Sequence, residues 1–113
     1  MNLPAHLRSL ASLCLLAVIL PAVGQGRAPP PYAKGDPKAG EALAERDCVS
    51  CHAASFGDAE TIYTRKDRRV GTPAQLLAQV RQCNAQLAKG YFPDEEESVA
   101  AYLDRDFYHF THR

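Results

Sequence analysis

Cys48, Cys51 and His52 are the densest group of chemically useful side chains in the sequence, in the run CVSCH. Two thiols three positions apart with an imidazole directly behind them admit four chemistries. They could close a disulfide, supply part of a zinc site, cycle as a redox dithiol, or attach haem covalently, each thiol adding to one vinyl group while the imidazole reaches iron. On average composition the pattern arises in about one chain in a thousand of this length.

Three of these chemistries fit the rest of the chain poorly. Zinc usually takes a second ligand pair at similar spacing, and only Cys83, His109 and His112 follow residue 52. A thioredoxin-like dithiol opens a helix after a strand, whereas a helical pattern precedes this motif and no segment alternates with the period of a strand. A disulfide between Cys48 and Cys51 closes so small a loop that it stabilises little. Haem attachment is the leading expectation: one haem c, with Cys48 and Cys51 binding the cofactor and His52 binding its iron.

The elements that must position these residues begin after an export signal. Arg8 is the only firm charge before an uncharged run from Ser9 to Gly26, and Ala22 and Gly24 form a small-x-small cleavage site. Residues 1–24 therefore read as a signal peptide, Cys14 leaving with it, and a cut behind Gly24 leaves 89 of the 113 residues. An uncleaved membrane anchor is the alternative, although this run is at the lower limit for spanning a bilayer. No stable membrane insertion is expected after cleavage, and the expected location is the periplasm. A domain of 89 residues buries only about 60 to 65% of its unfolded surface, so a disulfide, metal or cofactor is expected to support its core. The formal charge is +0, or about −1 once Arg8 is removed, which suggests neither nucleic acid nor an acidic membrane as a partner.

Residues 25–34, QGRAPPPYAK, read as a flexible, proline-rich leader, and 35–113 as the folded domain. Asp36 as N-cap and Pro37 as first residue start a helix that runs almost to Cys48. Ala53 to Gly71 has no useful periodicity and reads as a long loop. Within it, Tyr63 to Val70 carries four basic residues and one tyrosine; a solvated loop suits this composition best, with haem propionates or an acidic partner as the alternative, for which Arg68 and Arg69 are the candidates. Thr72 and Pro73 start a second helix ending at Lys89 and Gly90, with Leu76, Val80, Cys83 and Leu87 along one apolar stripe. Pro93 starts a third, with Asp94 to Glu97 at its positive end and Val99, Tyr102, Leu103, Phe107 and Phe110 on its apolar side. The expected fold is all-α.

Export signal, helix, CVSCH, loop, helix and C-terminal helix, in that order, resemble the class I c-type cytochromes over roughly residues 35–110. The resemblance implies a small helical domain around a covalently bound haem, carrying single electrons between redox partner proteins rather than catalysing a reaction. It also implies a close crossing of the first and last helices, a glycine facing an aromatic, which Gly40 and Tyr102 match. Glycine in a helix costs about 0.8 to 1 kcal/mol against alanine, so a close backbone approach accounts for its presence.

The chain departs from that family in one respect: its only methionine is Met1. The ligand opposite His52 must be another residue, water, or absent. Cys83, on the apolar stripe of the second helix, is the first choice, since His–Cys ligation looks in outline like that of sulfur-oxidation cytochromes. Its bland alternative is a small buried hydrophobe. Asn84, His109, His112 and a lysine are the other protein candidates, the two histidines reading better as solvent-facing caps at a helix end. RQCNAQLAKGYFPDEEESVAAYL partly resembles the helical hairpin of the sphaeroides haem protein family, whose asparagine ligand and disulfide do not carry over, because Gln82 and Tyr91 stand at those positions. A thiolate ligand implies a low-potential haem. The alternatives are a haem protein that binds small molecules at a displaceable or open sixth position, and a haem-free zinc domain.

Overall fold

The computed structural model describes residue 24 and residues 26–111. Residues 1–23 of the signal segment, with Cys14, and His112 lie outside the described residues. Among the described residues there are five α-helices and no strand, so the chain is all-α: α1 Pro37–Asp47, α2 Val49–Phe56, α3 Thr61–Thr64, α4 Pro73–Leu87 and α5 Pro93–Leu103, which runs on into a π-helical turn, Asp104–Tyr108. No helix among them is long and apolar enough to cross a membrane.

Helix starts follow local chemistry. The Asp36 carboxylate accepts from the backbone N–H of Lys38 at 2.9 Å and of Ala39 at 3.4 Å, and Thr72 Oγ1 accepts from Gln75 N–H at 3.2 Å. α5 has no capping side chain at Phe92; instead Glu95 reaches back and accepts from the Phe92 N–H at 2.9 Å. α4 stops earlier than Gly90: Ala88 already takes the left-handed conformation, φ 49°, and Gly90 follows with φ 71°.

α1 and α5 make the closest crossing. A Cβ on Gly40 would overlap the Ser98 carbonyl, and one on Gly35 would overlap the Glu97 carbonyl. The Asp36 N–H donates to Ser98 Oγ at 3.1 Å, so the cap of α1 is tied to α5. The nearest atoms to Gly40 are thus the Ser98–Val99 backbone, and Tyr102 lies one turn further along the same helix. Leu76, Leu77 and Val80 of α4 and Val99, Ala100 and Leu103 of α5 close the core, each fully buried leucine stabilising by about 1.5 to 3 kcal/mol.

The leader differs from expectation at its end. Tyr32 is 1% exposed and belongs to the core, and a turn returns the Gly35 N–H to the Tyr32 carbonyl at 3.0 Å. Burial first, and the Asp104 carboxylate second, push the Tyr32 phenol well above its ordinary pKa. Asp104, also 1% exposed, accepts from Phe110 N–H and Thr111 Oγ1, both at 2.6 Å. One aromatic in a proline-rich stretch anchors the segment by joining the core cluster that holds Tyr108 and Phe110.

Candidate functional site

The CVSCH run does not lie in a loop. α1 stops at Cys48, whose φ of −110° turns the chain, and α2 starts at once with Val49. The Cys48 carbonyl accepts from the His52 N–H at 3.0 Å, closing a helical turn around the motif. Three- and four-residue spacings share a helix face, so Cys51 and His52 fall on the side of the turn that Cys48 occupies. α2 ends at Gly57, φ 77°, and α3 follows, so residues 53–71 hold two short helical pieces where a single loop was expected.

α2 carries Val49, Cys51, His52 and Phe56, yet none of its residues is fully buried, and Phe56 is 50% exposed. Its neighbour is a narrow apolar cleft of about 70 Å³. On the α2 side the cleft is lined by Cys48, Cys51 and His52; Cys83 lines it from α4, and Leu76, Val80, Val99 and Leu103 form its apolar wall. Cys48, Cys51 and Cys83 are free thiols. Burial, and next the proximity of Cys83, push the Cys48 thiol above its ordinary pKa, whereas burial lowers that of His52. His52 Nδ1 pairs with the Tyr63 hydroxyl at 2.7 Å, and Cys83 Sγ accepts from Gln79 Nε2 at 3.4 Å.

The remaining candidate ligands separate. Asn84 borders the cleft, but its amide clasps the α4–α5 hairpin: Nδ2 donates to the Tyr91 carbonyl at 3.1 Å and to Glu96 Oε1 at 2.8 Å, and Oδ1 accepts from Tyr91 N–H at 3.1 Å. His109 is exposed, takes a left-handed conformation, φ 54°, where its N–H closes the π-helical turn on the Asp104 carbonyl, and does not line the cleft. Lys89 borders the cleft mouth and pairs with Asp47 at 3.7 Å. Among the described residues no three His, Cys, Asp or Glu side chains converge as a metal set.

An adjoining depression shares His52, Tyr63, Gln79, Cys83 and Tyr108 with the cleft and is bordered by Arg65, Arg68 and Arg69. Arg68 is half-buried: Nη1 donates to the Tyr63 carbonyl at 2.6 Å and the guanidinium lies 4.5 Å from the centre of the Tyr108 ring. Arg69 is exposed.

Tyr63, Tyr91 and Gln79 were not singled out by sequence reasoning as site residues. A lone tyrosine in an otherwise polar, basic stretch was the available signal for Tyr63, and Gln79 stands one turn before Cys83 on the same helix. The chain matches no family model, no curated protein and no solved structure.

Proposed function

We propose that this protein is an exported monohaem c-type cytochrome that carries single electrons at low potential, with Cys48 and Cys51 holding the haem, His52 as one iron ligand and Cys83 as the other. The observation that carries the reading is the unburied motif helix beside an apolar cleft. α2 presents two free thiols and an imidazole to an apolar cleft, which Cys83 borders from the opposing helix. That donor set fits covalent haem: paired thiols for two thioether bonds, a nitrogen ligand next to them, and a soft sulfur donor opposite. When bound, haem supplies the one-electron chemistry, while the protein sets potential and access.

The chain's own residues have separable tasks. Leu76, Val80, Val99 and Leu103 exclude water from the cleft, which disfavours added charge there. Gln79 offers a hydrogen bond to the Cys83 sulfur and so tempers its donor strength. Arg68 and Arg69 stand where a carboxylate at the cleft edge, or an acidic face on a redox partner, meets positive charge. With the signal sequence, this reading assigns the protein to the periplasm.

A second reading, a haem protein that binds small molecules at a displaceable sixth position, is favoured by one observation. Cys83 is held only by the exposed Gln79 side chain, with no backbone donor on its sulfur among the described residues. Absorption spectra of wild type and Cys83→Ala, matured with a haem-attachment system, separate the two. Low-spin spectra with thiolate near-infrared bands that the substitution removes support the electron carrier. An unchanged or high-spin wild-type spectrum, with rapid carbon monoxide binding to the ferrous form, supports the second reading.

A further inference from the structure

We infer that Tyr63 is the positioning residue for His52, its hydroxyl holding Nδ1 so that Nε2 is the ring nitrogen left for iron. The inference rests on the haem reading above and adds to it the group that orients the ligand. The Tyr63 hydroxyl lies 2.7 Å from His52 Nδ1, and among the described residues Nε2 has no hydrogen-bond partner. The two rings also meet edge to face, centroids 5.3 Å apart at 60°.

Tyr63 is itself fixed from several sides. It is 7% exposed and is the only buried residue of α3, a four-residue helix. Its ring packs against Phe107 at 5.1 Å and Tyr108 at 6.3 Å, and its carbonyl is gripped by Arg68, whose guanidinium is in turn seated on Tyr108. The path from Arg68 through Tyr63 to His52 ties the basic segment and the π-helical turn to the ring orientation of a ligand on another helix.

The hydrogen bond has two polarities. A neutral imidazole carries one N–H, and binding iron through Nε2 requires that proton on Nδ1, which then donates to the phenol oxygen. With Nε2 protonated, the phenol donates to Nδ1 instead. Ligation through Nε2 therefore selects the arrangement in which Tyr63 is the acceptor. A partner on Nδ1–H raises the donor strength of the ligating imidazole, which favours the ferric state, and loss of such outer partners typically costs about 10- to 100-fold in metal affinity.

The test uses the haem-matured full chain, wild type and Tyr63→Phe, the variant keeping the ring and losing only the hydroxyl. Potentiometric titration is expected to show equal haem content and, in the variant, a ferrous-to-ferric ratio about tenfold higher at fixed ambient potential, a rise of about 59 mV for one electron. Proton NMR of the diamagnetic ferrous wild type is expected to show a slowly exchanging His52 Nδ1–H correlated with the Tyr63 ring. Haem-loaded protein with an unchanged potential in the variant overturns the role of Tyr63 and leaves the haem reading standing; wild type that takes up no haem overturns both. If Tyr63→Phe does not mature, the wild-type correlation decides alone, and its absence overturns the inference.

Discussion

The α1–α5 crossing and the α2–α3 side of the molecule are built to opposite specifications. At the crossing, Gly40 and Gly35 bring backbone against backbone, Ala44 and Ala100 are buried, and Ser98 ties the cap of α1 to α5. On the other side, α2 buries none of its residues, and α3 buries only Tyr63. The crossing is satisfied by protein alone, whereas the motif helix borders an apolar cleft. The difference separates a scaffold that stands by itself from a site whose hydrophobic demand falls on whatever occupies it, and by our proposal that occupant is haem.

Substitutions that break the crossing should have the largest effect. Gly40→Ala places a Cβ inside the Ser98 carbonyl, so α1 and α5 must separate, at a cost of about 3 kcal/mol in denaturant unfolding. Next comes the hairpin clasp. Asn84→Ala removes three hydrogen bonds and leaves Glu96 and the Tyr91 backbone short of partners, a loss of about 2 kcal/mol. The haem spectrum is expected to stay unchanged in that variant; loss of the low-spin spectrum there would return Asn84 to the ligand candidates.

Acid tests the junction between the two regions. The Arg46 hydrogen bonds first, and the Tyr91 hydroxyl second, hold the Asp47 carboxyl down to about 2 from 3.8. Because the folded value is depressed, this contribution to stability is fully present above pH 3.8 and is lost as pH falls towards 2. Asp47→Asn should flatten the stability profile across that window and lower stability by a pH-independent amount above pH 5. The smallest effect belongs to the motif helix without its occupant. Phe56→Ala, at a half-exposed position, is expected to change the stability of the haem-free chain by no more than about 0.5 kcal/mol. A larger loss would mean that α2 is packed by protein after all.

What could be read from the sequence was local. The Asp36–Pro37 and Thr72–Pro73 pairs, and Pro93 at the head of α5, mark three helix starts through caps and fixed φ angles within a few residues. The need for Gly40 followed from its cost within a helix, and Cys48, Cys51 and His52 stood out by type and spacing. α2 and α3 were not legible, because eight and four residues are too few for a period and neither has a capping side chain. The burial of Tyr32 depends on a core assembled from residues as distant as Tyr108 and Phe110, and the employment of Asn84 on Tyr91 and Glu96. Cys83 was placed on an apolar stripe by periodicity, while its meeting with the α2 thiols across one cleft is a property of the fold.

The measurement that bears most directly on the account is the haem content of the purified full chain after maturation with a haem-attachment system, read by intact mass under denaturing conditions. We predict one haem bound covalently per chain, lost from the mass when Cys48 and Cys51 are both changed to serine. A colourless chain at its unmodified mass, or haem that separates on denaturation while both cysteines are intact, would contradict the account.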